Sequence, residues 1–324
     1  MDLYPLKLAP QPSERLWGGE RLKVYVPDFA TLNTAEPIGE AWLVYADNQI
    51  LNGPLAGQTL QQAADSLQAS LLGTTSVARY GTKVPLLAKL IDAADELSVQ
   101  VHPGDAYAGQ HEAETGHLGK TEAWYILGAK PDASIIWDFE REATTDEVRS
   151  AADRGELESL LRTVPVERGD VILNQAGRVH AVGAGVFLFE IQQSSDLTYR
   201  LYDYNRRGAD GELRELHLDK ALDVMVVEPN RNAKVAPQQL SDDTTLLVSS
   251  DYFVMERWTL NGSRLHTPSP ESLDTLSVLE GSLTLTYGEE TVELQQAESV
   301  VLPALLGECQ LAGEATVIRC FVPS

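Results

Sequence analysis

Apolar and polar residues alternate along much of this chain in short runs, which Gly, Asp, Asn and Pro interrupt. The runs are rich in Val, Ile, Leu, Thr and Tyr, and alternation of this kind places successive side chains on opposite faces of a β-strand. In the segment LSVQVH, for example, Leu97, Val99 and Val101 would share one face. The pattern predicts a mainly β protein.

Helical periodicity is limited to a few segments of the chain. Residues 59–73 predict a helix that ends on Gly73, because glycine commonly follows the last helical residue. Residues 144–163 predict a second helix, with Thr145 as its amino-terminal cap and acidic residues in its first turn. We expect both helices to be insertions in a β framework.

A polar segment that carries two prolines, residues 225–244, divides the chain. On either side of it, residues 168–177 (RGDVILNQAG) and residues 297–307 (AESVVLPALLG) show the same order of a turn, a short apolar run and a corner of small residues. A duplicated barrel would produce this repeat. The sequence therefore predicts two β-barrels, one over residues 1–229 with the helical insertions and one over residues 230–324.

The composition, 43% hydrophobic and 23% charged over 324 residues, is that of a soluble protein of about two domains. Its net charge of −23 argues against binding to nucleic acid, which depends on clustered Lys and Arg. The same charge means that a site for an anionic substrate must supply its own cations.

The sequence predicts a cytoplasmic protein that does not bind a membrane. No apolar run approaches the roughly 20 residues that a membrane span requires, and the amino terminus lacks a basic stretch followed by an apolar run. The two cysteines, Cys309 and Cys320, lie in apolar runs and are expected to be buried and reduced. The sequence leaves open whether the protein forms a homodimer.

Polar residues with the chemistry of metal ligands fall on single faces of several predicted strands. One such row alone would indicate a solvent-exposed face, but several rows are typical of a small barrel whose interior holds a metal or a ligand. The rows are Ser98, Gln100 and His102; Lys120 and Glu122; and Arg178 and His180. The metal ligands predicted from them are Gln100, His102, Glu122 and His180.

Two imidazoles and one carboxylate suit zinc, and equally the open three-ligand site of non-haem iron(II), so the residue types leave the metal open. An amide oxygen from Gln100 would leave one position for water or substrate. Residues 276–322 contain no histidine, and the second barrel is predicted to be metal-free. The remaining histidines are expected at the surface: His111, His117, His217 and His266.

Several motifs follow one another along the chain in the order LWGGERL, IGEAWLV, KLIDAADELSVQVHP, LGKTEAWYIL and AGRVHAVGAGVFLFEIQQSSDLTYRLYDYNR. Together they closely resemble type I mannose-6-phosphate isomerase (phosphomannose isomerase) of the short bacterial kind, a cupin protein. The resemblance covers most of residues 1–230 and is weaker beyond them. It implies that the two barrels are cupin-like (jelly-roll) barrels and that the protein is an enzyme interconverting mannose 6-phosphate and fructose 6-phosphate.

The resemblance also implies roles for individual residues, including the ligands of one zinc ion per chain. The implied zinc ligands are Gln100, His102, Glu122 and His180. The implied substrate and catalytic residues are Lys89 and Ser98 at the phosphate, Lys120 as the catalytic lysine and Arg200 as an essential arginine.

The implied reaction removes a proton from the carbon beside a carbonyl, passes through an enediolate and returns the proton to the neighbouring carbon. Zinc and Arg200 would stabilise the negative oxygen of the enediolate. The candidates for the base are Glu190 and, if its pKa is lowered, Lys120. A structural ion pair with Arg200 is the alternative role for Glu190.

Two positions depart from the family pattern. Members usually have Pro-Ala-Gly at the corner before the second histidine, where a proline would stiffen the turn that aims His180. This chain has Asn174 and Gln175 there, with no proline. Longer relatives have a histidine directly before the catalytic lysine, whereas this chain has Gly119, so ring opening is not assigned to that position.

Two other functions fit part of this pattern. An iron(II) cupin oxygenase could use the same ligands, but oxygen chemistry has no evident use for Lys89, Lys120 and Arg200 together. A non-catalytic sugar-phosphate-binding cupin would not need to keep both the ligand set and Arg200. Metal analysis, with activity assayed after reconstitution with zinc or iron, distinguishes the isomerase from the oxygenase. An assay on mannose 6-phosphate distinguishes the isomerase from the non-catalytic binding protein.

Overall fold

The computed structural model describes residues 2–208 and 211–324 and is mainly β. In these residues, antiparallel strands form three sheets. The first sheet consists, in spatial order, of β2 (Gln11–Gly19), β3 (Ile38–Val44), β4 (Leu86–Ala93), β11 (Val186–Gln193), β6 (Glu122–Ala129) and β9 (Val171–Asn174). The second sheet consists of β12 (Tyr199–Tyr202), β5 (Val99–Val101), β10 (His180–Val182), β7 (Ser134–Phe139) and β8 (Leu161–Pro165). The third sheet consists of β1 (Leu6–Leu8), β18 (Ser299–Leu302), β16 (Asp274–Tyr287), β19 (Cys309–Phe321), β15 (Val254–His266), β14 (Thr244–Ser249) and β13 (Gln238–Ser241), with β17 (Glu290–Gln295) paired to β16.

The first sheet is buried on both faces. Every residue of β4 and of β11 is buried, which explains why both strands are apolar at most successive positions. One face packs against the second sheet, where Trp124 of β6 shares a core with Ile135 and Trp137 of β7. The other face packs against the third sheet, where Phe189 of β11 shares a core with Ile318 of β19. The first two sheets therefore form a sandwich, and the third sheet covers its outer face.

The third sheet also has a core of its own on its other face. Leu276 and Leu285, which lie in different halves of β16, both belong to this core together with Trp258. The strand must bend to bring them together, and Gly281 (φ 79°) lies between them. A Cβ atom at Gly281 would lie 2.0 Å from the carbonyl oxygen of Glu314, so the close approach of the two strands requires glycine.

Short helices connect the strands. None of the helices in the two described ranges is long and apolar enough to cross a membrane. The α-helices are α1 (Arg21–Tyr25), α2 (Leu60–Leu67), α3 (Ala69–Leu72), α4 (Thr74–Tyr80), α5 (Asp105–His111), α6 (Thr145–Asp153) and α7 (Leu218–Val224), and 3-10 turns cover Pro27–Phe29, Gly53–Leu55, Ala113–Thr115 and Leu157–Leu160.

The helix predicted over residues 59–73 is present but interrupted. Thr59 caps α2, because its side chain accepts a hydrogen bond from the backbone N–H of Gln62 at 3.2 Å. Gln68, with φ 48°, separates α2 from α3. Gly73 follows the last residue of α3 as predicted, and a Cβ atom there would lie 2.3 Å from the backbone of Glu271.

The helix predicted over residues 144–163 is shorter than expected. Helix α6 ends at Asp153, Gly155 (φ 70°) turns the chain, and the strand β8 has begun by residue 161. The cap is Thr144 and not Thr145, since the Thr144 hydroxyl accepts the backbone N–H of Glu147 at 3.1 Å. Glu147 lies three residues after Thr144 and returns a bond to its N–H, which completes a capping box.

The predicted mainly β class is confirmed, but the two closed barrels are not. Each sheet in the described part of the chain ends in strands that pair on one side only, so none of the three sheets is closed. Alternation predicts the faces of a strand, yet a sandwich and a barrel bury the same faces. The first strand, β1, pairs with β18 and so belongs to the third sheet, with Leu6 opposite Val301. The division of the chain at residues 229 and 230 stays a prediction.

Candidate active site

Two sheets bring three metal-ligating side chains together inside the sandwich. His102 directly follows β5 and His180 begins β10, its neighbour in the second sheet, while Glu122 begins β6 of the first sheet. Their ligand atoms all lie within 4.8 Å of one another. His102 Nε2 is 3.3 Å from Glu122 Oε2, and His180 Nε2 is 3.2 Å from Glu122 Oε1. The cluster is buried and could hold a metal ion.

Hydrogen bonds determine which nitrogen of each imidazole faces the cluster. Nδ1 of His102 lies 2.8 Å from the carbonyl oxygen of Leu197, and Nδ1 of His180 lies 2.9 Å from that of Arg178. Because a carbonyl only accepts, each Nδ1 carries a hydrogen, which leaves Nε2, the nitrogen that faces the cluster, as the one whose lone pair can bind a metal. Both buried Nε2 atoms have no hydrogen-bond partner among the described residues. Unpaired acceptors that converge beside a carboxylate are the donor set of a divalent metal ion.

Electrostatics favour the same protonation states. Burial, and then the charge of Lys120, lower the pKa of His102 to about 3. Burial alone would raise the pKa of Glu122, but the charge of Lys120 and the two histidines hold it well below its usual range. At neutral pH the cluster therefore offers a neutral imidazole and an ionised carboxylate, the forms that bind metals.

Gln100, the fourth predicted ligand, lies beside the cluster on β5. It pairs with His180 of β10 on one side and with Arg200 of β12 on the other. Its side chain lines a cavity together with that of Ser98, two residues earlier on the same strand face. The structure thus brings Gln100 next to the cluster, and its role as a ligand stays a prediction.

The cavity measures about 370 Å³ and adjoins the cluster through Lys120, whose Nζ is 3.0 Å from Glu122 Oε2. It contains the other side chains that the sequence singled out, although they come from both sheets of the sandwich and from the loop before β6. These lining residues are Lys89, Ser98, Gln100, Lys120, Glu190 and Arg200.

Lys89 and Glu190 form a buried ion pair in the wall of this cavity. Lys89 Nζ lies 3.5 Å from Glu190 Oε1 and 3.7 Å from Glu40 Oε2. The Lys89 side chain is 3% exposed, so its charge is largely offset by these two carboxylates. Trp124 Nε1 donates to Glu190 Oε2 at 2.9 Å. The ion-pair partner of Glu190 is thus Lys89 and not Arg200.

The charged groups of the wall differ in their affinity for protons. Burial, and then the charge of Glu122, raise the pKa of Glu190. Burial would also raise the pKa of Glu40, but the charges of Lys89 and Arg15 and the hydrogen bonds to Glu40 together outweigh it and hold this pKa at about 2. Burial would lower the pKa of Lys120, but nearby carboxylates, Glu122 foremost, raise it. Lys120 therefore carries a proton, contrary to the lowered pKa that a base would need.

Arg200 has no carboxylate partner among the described residues, in contrast to Lys89 and Lys120. Its Nη1 donates to the carbonyl oxygen of Glu215 at 3.3 Å, and its Nε has no acceptor within that part of the chain. The neighbouring Asp203 pairs with other arginines, one of which is Arg214 at 3.2 Å. The guanidinium of Arg200 is therefore available to an anion in the cavity.

Comparison with known proteins identifies the family of this chain. Residues 6–137 match the family model of the type I phosphomannose isomerase catalytic domain, and residues 242–322 match that of the mannose-6-phosphate isomerase cupin domain. The chain is 40% identical over 326 residues to the mannose-6-phosphate isomerase ManA of Bacillus subtilis, which covers 98% of this chain and 99% of that one. The chain belongs to the type I phosphomannose isomerase family.

Other members of the family agree with this assignment over the full length. The mannose-6-phosphate isomerase of Streptococcus mutans is 36% identical over 323 residues, which is 97% of each chain. A crystal structure of the mannose 6-phosphate isomerase from Bacillus subtilis matches the fold with a TM-score of 0.87 at 32% identity, over 98% of this chain and 99% of that one. The resemblance and the cupin domain expected from the sequence motifs are thereby confirmed.

The structure adds charged residues to the site that the sequence did not indicate. Arg15 of β2 lines the cavity and pairs with Glu40 at 3.1 Å, and Arg214 lines it from the segment before α7. His217 also lines the cavity, and its Nδ1 accepts the backbone N–H of Arg200 at 3.3 Å. The expectation that His217 is an ordinary surface histidine was therefore wrong. No alternation of polar and apolar residues in the sequence predicts that these side chains face the interior. The one indication is that Arg15 directly precedes the LWGGERL motif.

Gly119, where longer members of the family have a histidine, has no room for a side chain. A Cβ atom would lie 2.4 Å from the backbone nitrogen of Asp105. The backbone N–H of Gly119 donates to Asp105 Oδ1 at 2.8 Å, and Gln193 Nε2 donates to the same oxygen at 3.0 Å. The loop that carries Lys120 is thus packed tightly against the start of α5, and a histidine at this position would require another loop conformation.

Proposed function

We propose that this protein is a zinc-dependent mannose-6-phosphate isomerase, which interconverts mannose 6-phosphate and fructose 6-phosphate through an enediolate. The observation that carries the proposal is the buried cluster of His102, Glu122 and His180 beside a cation-lined cavity. Membership of the type I phosphomannose isomerase family supports the reaction and the substrate.

His102, Glu122 and His180 would hold one zinc ion per chain, and Gln100 would be the fourth ligand. The two imidazoles that direct Nε2 into the cluster and the ionised carboxylate fit this ion. When bound, zinc supplies a Lewis acid that stabilises negative charge on the oxygens of the sugar.

Arg200 would stabilise the same developing charge from the protein side. Its guanidinium lines the cavity and lacks a carboxylate partner in the described residues, so its charge is not already offset. A preorganised donor of this kind acts most strongly where charge appears in the transition state.

Glu190 would move the proton between the two carbon atoms. Its Oε2 accepts a hydrogen bond from Trp124, whereas its Oε1 lies 3.5 Å from Lys89 Nζ without a hydrogen bond in the described residues, so Oε1 is the oxygen that would accept the proton. A raised pKa makes the carboxylate a better base and allows the same group to return the proton. Lys120, which remains protonated, would donate from Nζ to a sugar oxygen.

Lys89 and Ser98 would contact the phosphate of the substrate. Ser98 is buried in the cavity lining, and Lys89 lies between Glu40 and Glu190 in its wall. With Arg200 they give the site a local supply of cationic and hydroxyl donors in a chain whose net charge is −23.

A coupled assay that measures fructose 6-phosphate formed from mannose 6-phosphate tests the proposal. The purified protein is stripped with a chelator and reconstituted separately with zinc and with iron(II). We expect turnover to be lost on stripping and restored by zinc. Absence of turnover after every reconstitution would contradict an isomerase, and restoration by iron(II) alone would contradict the zinc assignment.

A further inference from the structure

The corner at which this chain departs from the usual family sequence places a polar side chain against the metal cluster. Asn174 ends β9 and lies directly opposite Glu122 of β6 in the register of the first sheet. Its side chain is fully buried. A buried amide is costly unless its polar atoms have partners, so its contacts indicate why it is tolerated.

Asn174 forms a bridge between a core tryptophan and the carboxylate of the cluster. Trp137 Nε1 donates to Asn174 Oδ1 at 2.8 Å, and Asn174 Nδ2 donates to Glu122 Oε1 at 3.3 Å. An indole nitrogen can only donate, so it requires the oxygen of the amide on its side. The amide orientation is thereby fixed, and the NH2 group must face Glu122.

Both oxygens of the Glu122 carboxylate are then held by the protein. Oε1 faces Asn174 Nδ2 and His180 Nε2, whereas Oε2 faces Lys120 Nζ and His102 Nε2. Of these contacts, the Asn174 amide and the Lys120 ammonium hold different oxygens of the carboxylate and so oppose its rotation about the terminal bond of the side chain. Asn174 provides its hydrogen bond without a positive charge, so it does not compete electrostatically with a cation in the cluster.

We propose that Asn174 is a positioning residue, which Trp137 anchors and which holds the Glu122 carboxylate in the orientation required to bind the metal. This inference rests on the metal centre of the proposed function. Hydrogen-bond partners of metal ligands typically change metal affinity about 10- to 100-fold when they are removed. The hydrogen bond from Asn174 of β9 to Glu122 of the neighbouring strand β6 would be a contact of this kind.

The test compares zinc affinity and the visible absorption spectrum of the cobalt(II)-substituted protein between the wild type and Asn174→Ala. We expect zinc binding, measured by competition with a chromophoric chelator, to weaken about 10- to 100-fold. The cobalt spectrum should change as well, because it reports the geometry of the ligands. Trp137→Phe, which keeps Asn174 but removes its anchor, should change both readouts in the same direction and by less.

Asn48→Ala is the matched control for the loss of a buried asparagine. The Asn48 side chain is also fully buried, and it donates to the backbone carbonyl oxygens of Ala9 and Trp42, not to a member of the cluster. This variant should melt earlier than the wild type but keep its zinc affinity and its cobalt spectrum. An equal loss of zinc affinity in Asn48→Ala would show a general loosening of the fold and would overturn the inference.

Two further outcomes separate this inference from the proposal on which it rests. If the wild type binds zinc and Asn174→Ala binds it equally well with an unchanged cobalt spectrum, the positioning role is wrong and the metal centre stands. If Asn174→Ala does not fold, Trp137→Phe alone decides, since unchanged affinity and spectrum in that variant would contradict the anchoring. A wild-type protein that binds no zinc would overturn the metal centre and the positioning role together.

Discussion

Arg200 and Lys89 illustrate how a residue's partners decide what it can do. Both line the same cavity, yet Lys89 lies between two carboxylates and Arg200 has none in the described chain. A cation that is already paired binds a new anion less strongly, because the anion must compete with the existing partners. An unpaired guanidinium can instead respond to charge that appears during a reaction.

Arg200→Ala should lower the turnover number on mannose 6-phosphate by roughly 100-fold, the effect of losing one donor to a developing oxyanion. Zinc content and melting temperature should change little, because no carboxylate in the described chain loses its partner. Steady-state kinetics, metal analysis and a melting curve together test this. Arg319→Ala is the control, since Arg319 pairs with Asp274 at 2.8 Å in the third sheet and its loss should lower the melting temperature while turnover is kept. A normal turnover number with a raised Michaelis constant in Arg200→Ala would make Arg200 a binding residue instead.

Glu40 predicts a dependence of stability on pH. Its pKa in the folded protein is about 2, below the ordinary value of 4.5, so folding favours its ionised form. The stabilisation is complete above pH 4.5 and is lost as the pH falls towards 2, and the shift corresponds to up to about 3 kcal/mol. Denaturant unfolding at several pH values should give a shallower fall for Glu40→Gln than for the wild type. Glu289→Gln, at an exposed position, should keep the wild-type slope, and equal slopes for all three proteins would contradict the assignment.

At the level of secondary structure, the loop between β5 and β6 determines where Lys120 lies. Gly119 in this loop packs against the backbone at the start of α5. Gly109 lies within α5 itself, and a Cβ atom there would meet nothing within 4 Å. A side chain would therefore collide with the backbone at Gly119, whereas there is room for one at Gly109.

Gly119→Ala should displace the loop and lower both turnover and melting temperature, because its Cβ atom would overlap the backbone of Asp105. Gly109→Ala should raise the free energy of unfolding by about 0.5–1 kcal/mol, since alanine favours a helix over glycine. Turnover should not change in Gly109→Ala. Kinetics and thermal melts of the two variants measure both effects, and a Gly119→Ala protein with wild-type activity would show that the loop adapts without cost.

The elements also show what a sequence reveals about this fold. Alternation around Val99 and Val101 correctly placed Gln100 and His102 on one polar face, because the period of a strand is local. The contact between Lys89 and Glu40 joins strands that are far apart in sequence, and no local pattern encodes it. The interruption of the helix at Gln68, and whether a sheet closes into a barrel or stays open, likewise depend on tertiary packing. The family motifs predicted the roles of the site residues, whereas the sequence marked Asn174 only as part of a corner without a proline. Its contact with Glu122 is visible only in the structure.

At the scale of the whole molecule, the two parts of the chain share one core. The outer face of the first sheet and one face of the third sheet meet in a single hydrophobic cluster, in which Phe189 and Ile318 are both buried. The metal cluster lies on the other side of the first sheet, within the sandwich. Loss of the third sheet would therefore expose a large apolar surface directly behind the strands that carry Glu122 and Glu190.

Calorimetry of the zinc-free protein should show one cooperative unfolding transition, because the two parts share a core that neither can bury alone. Ile318→Ala, which removes a fully buried side chain from the shared core, should lower stability by about 2–5 kcal/mol and shift that single transition as a whole. A thermogram with two separated transitions, of which Ile318→Ala moves only one, would show that the parts unfold independently.

The pairing of β1 with β18 has a consequence for how the protein is made. Residues 6–8 are synthesised before every strand of the first two sheets, whereas their partner strand, residues 299–302, is synthesised after all of them. While those strands are synthesised, the apolar side chains of Leu6 and Leu8 cannot yet occupy their position in the third sheet. The first strand can therefore pair in the third sheet only after the strands of the other two sheets have been synthesised, so this long-range pairing is expected to form late.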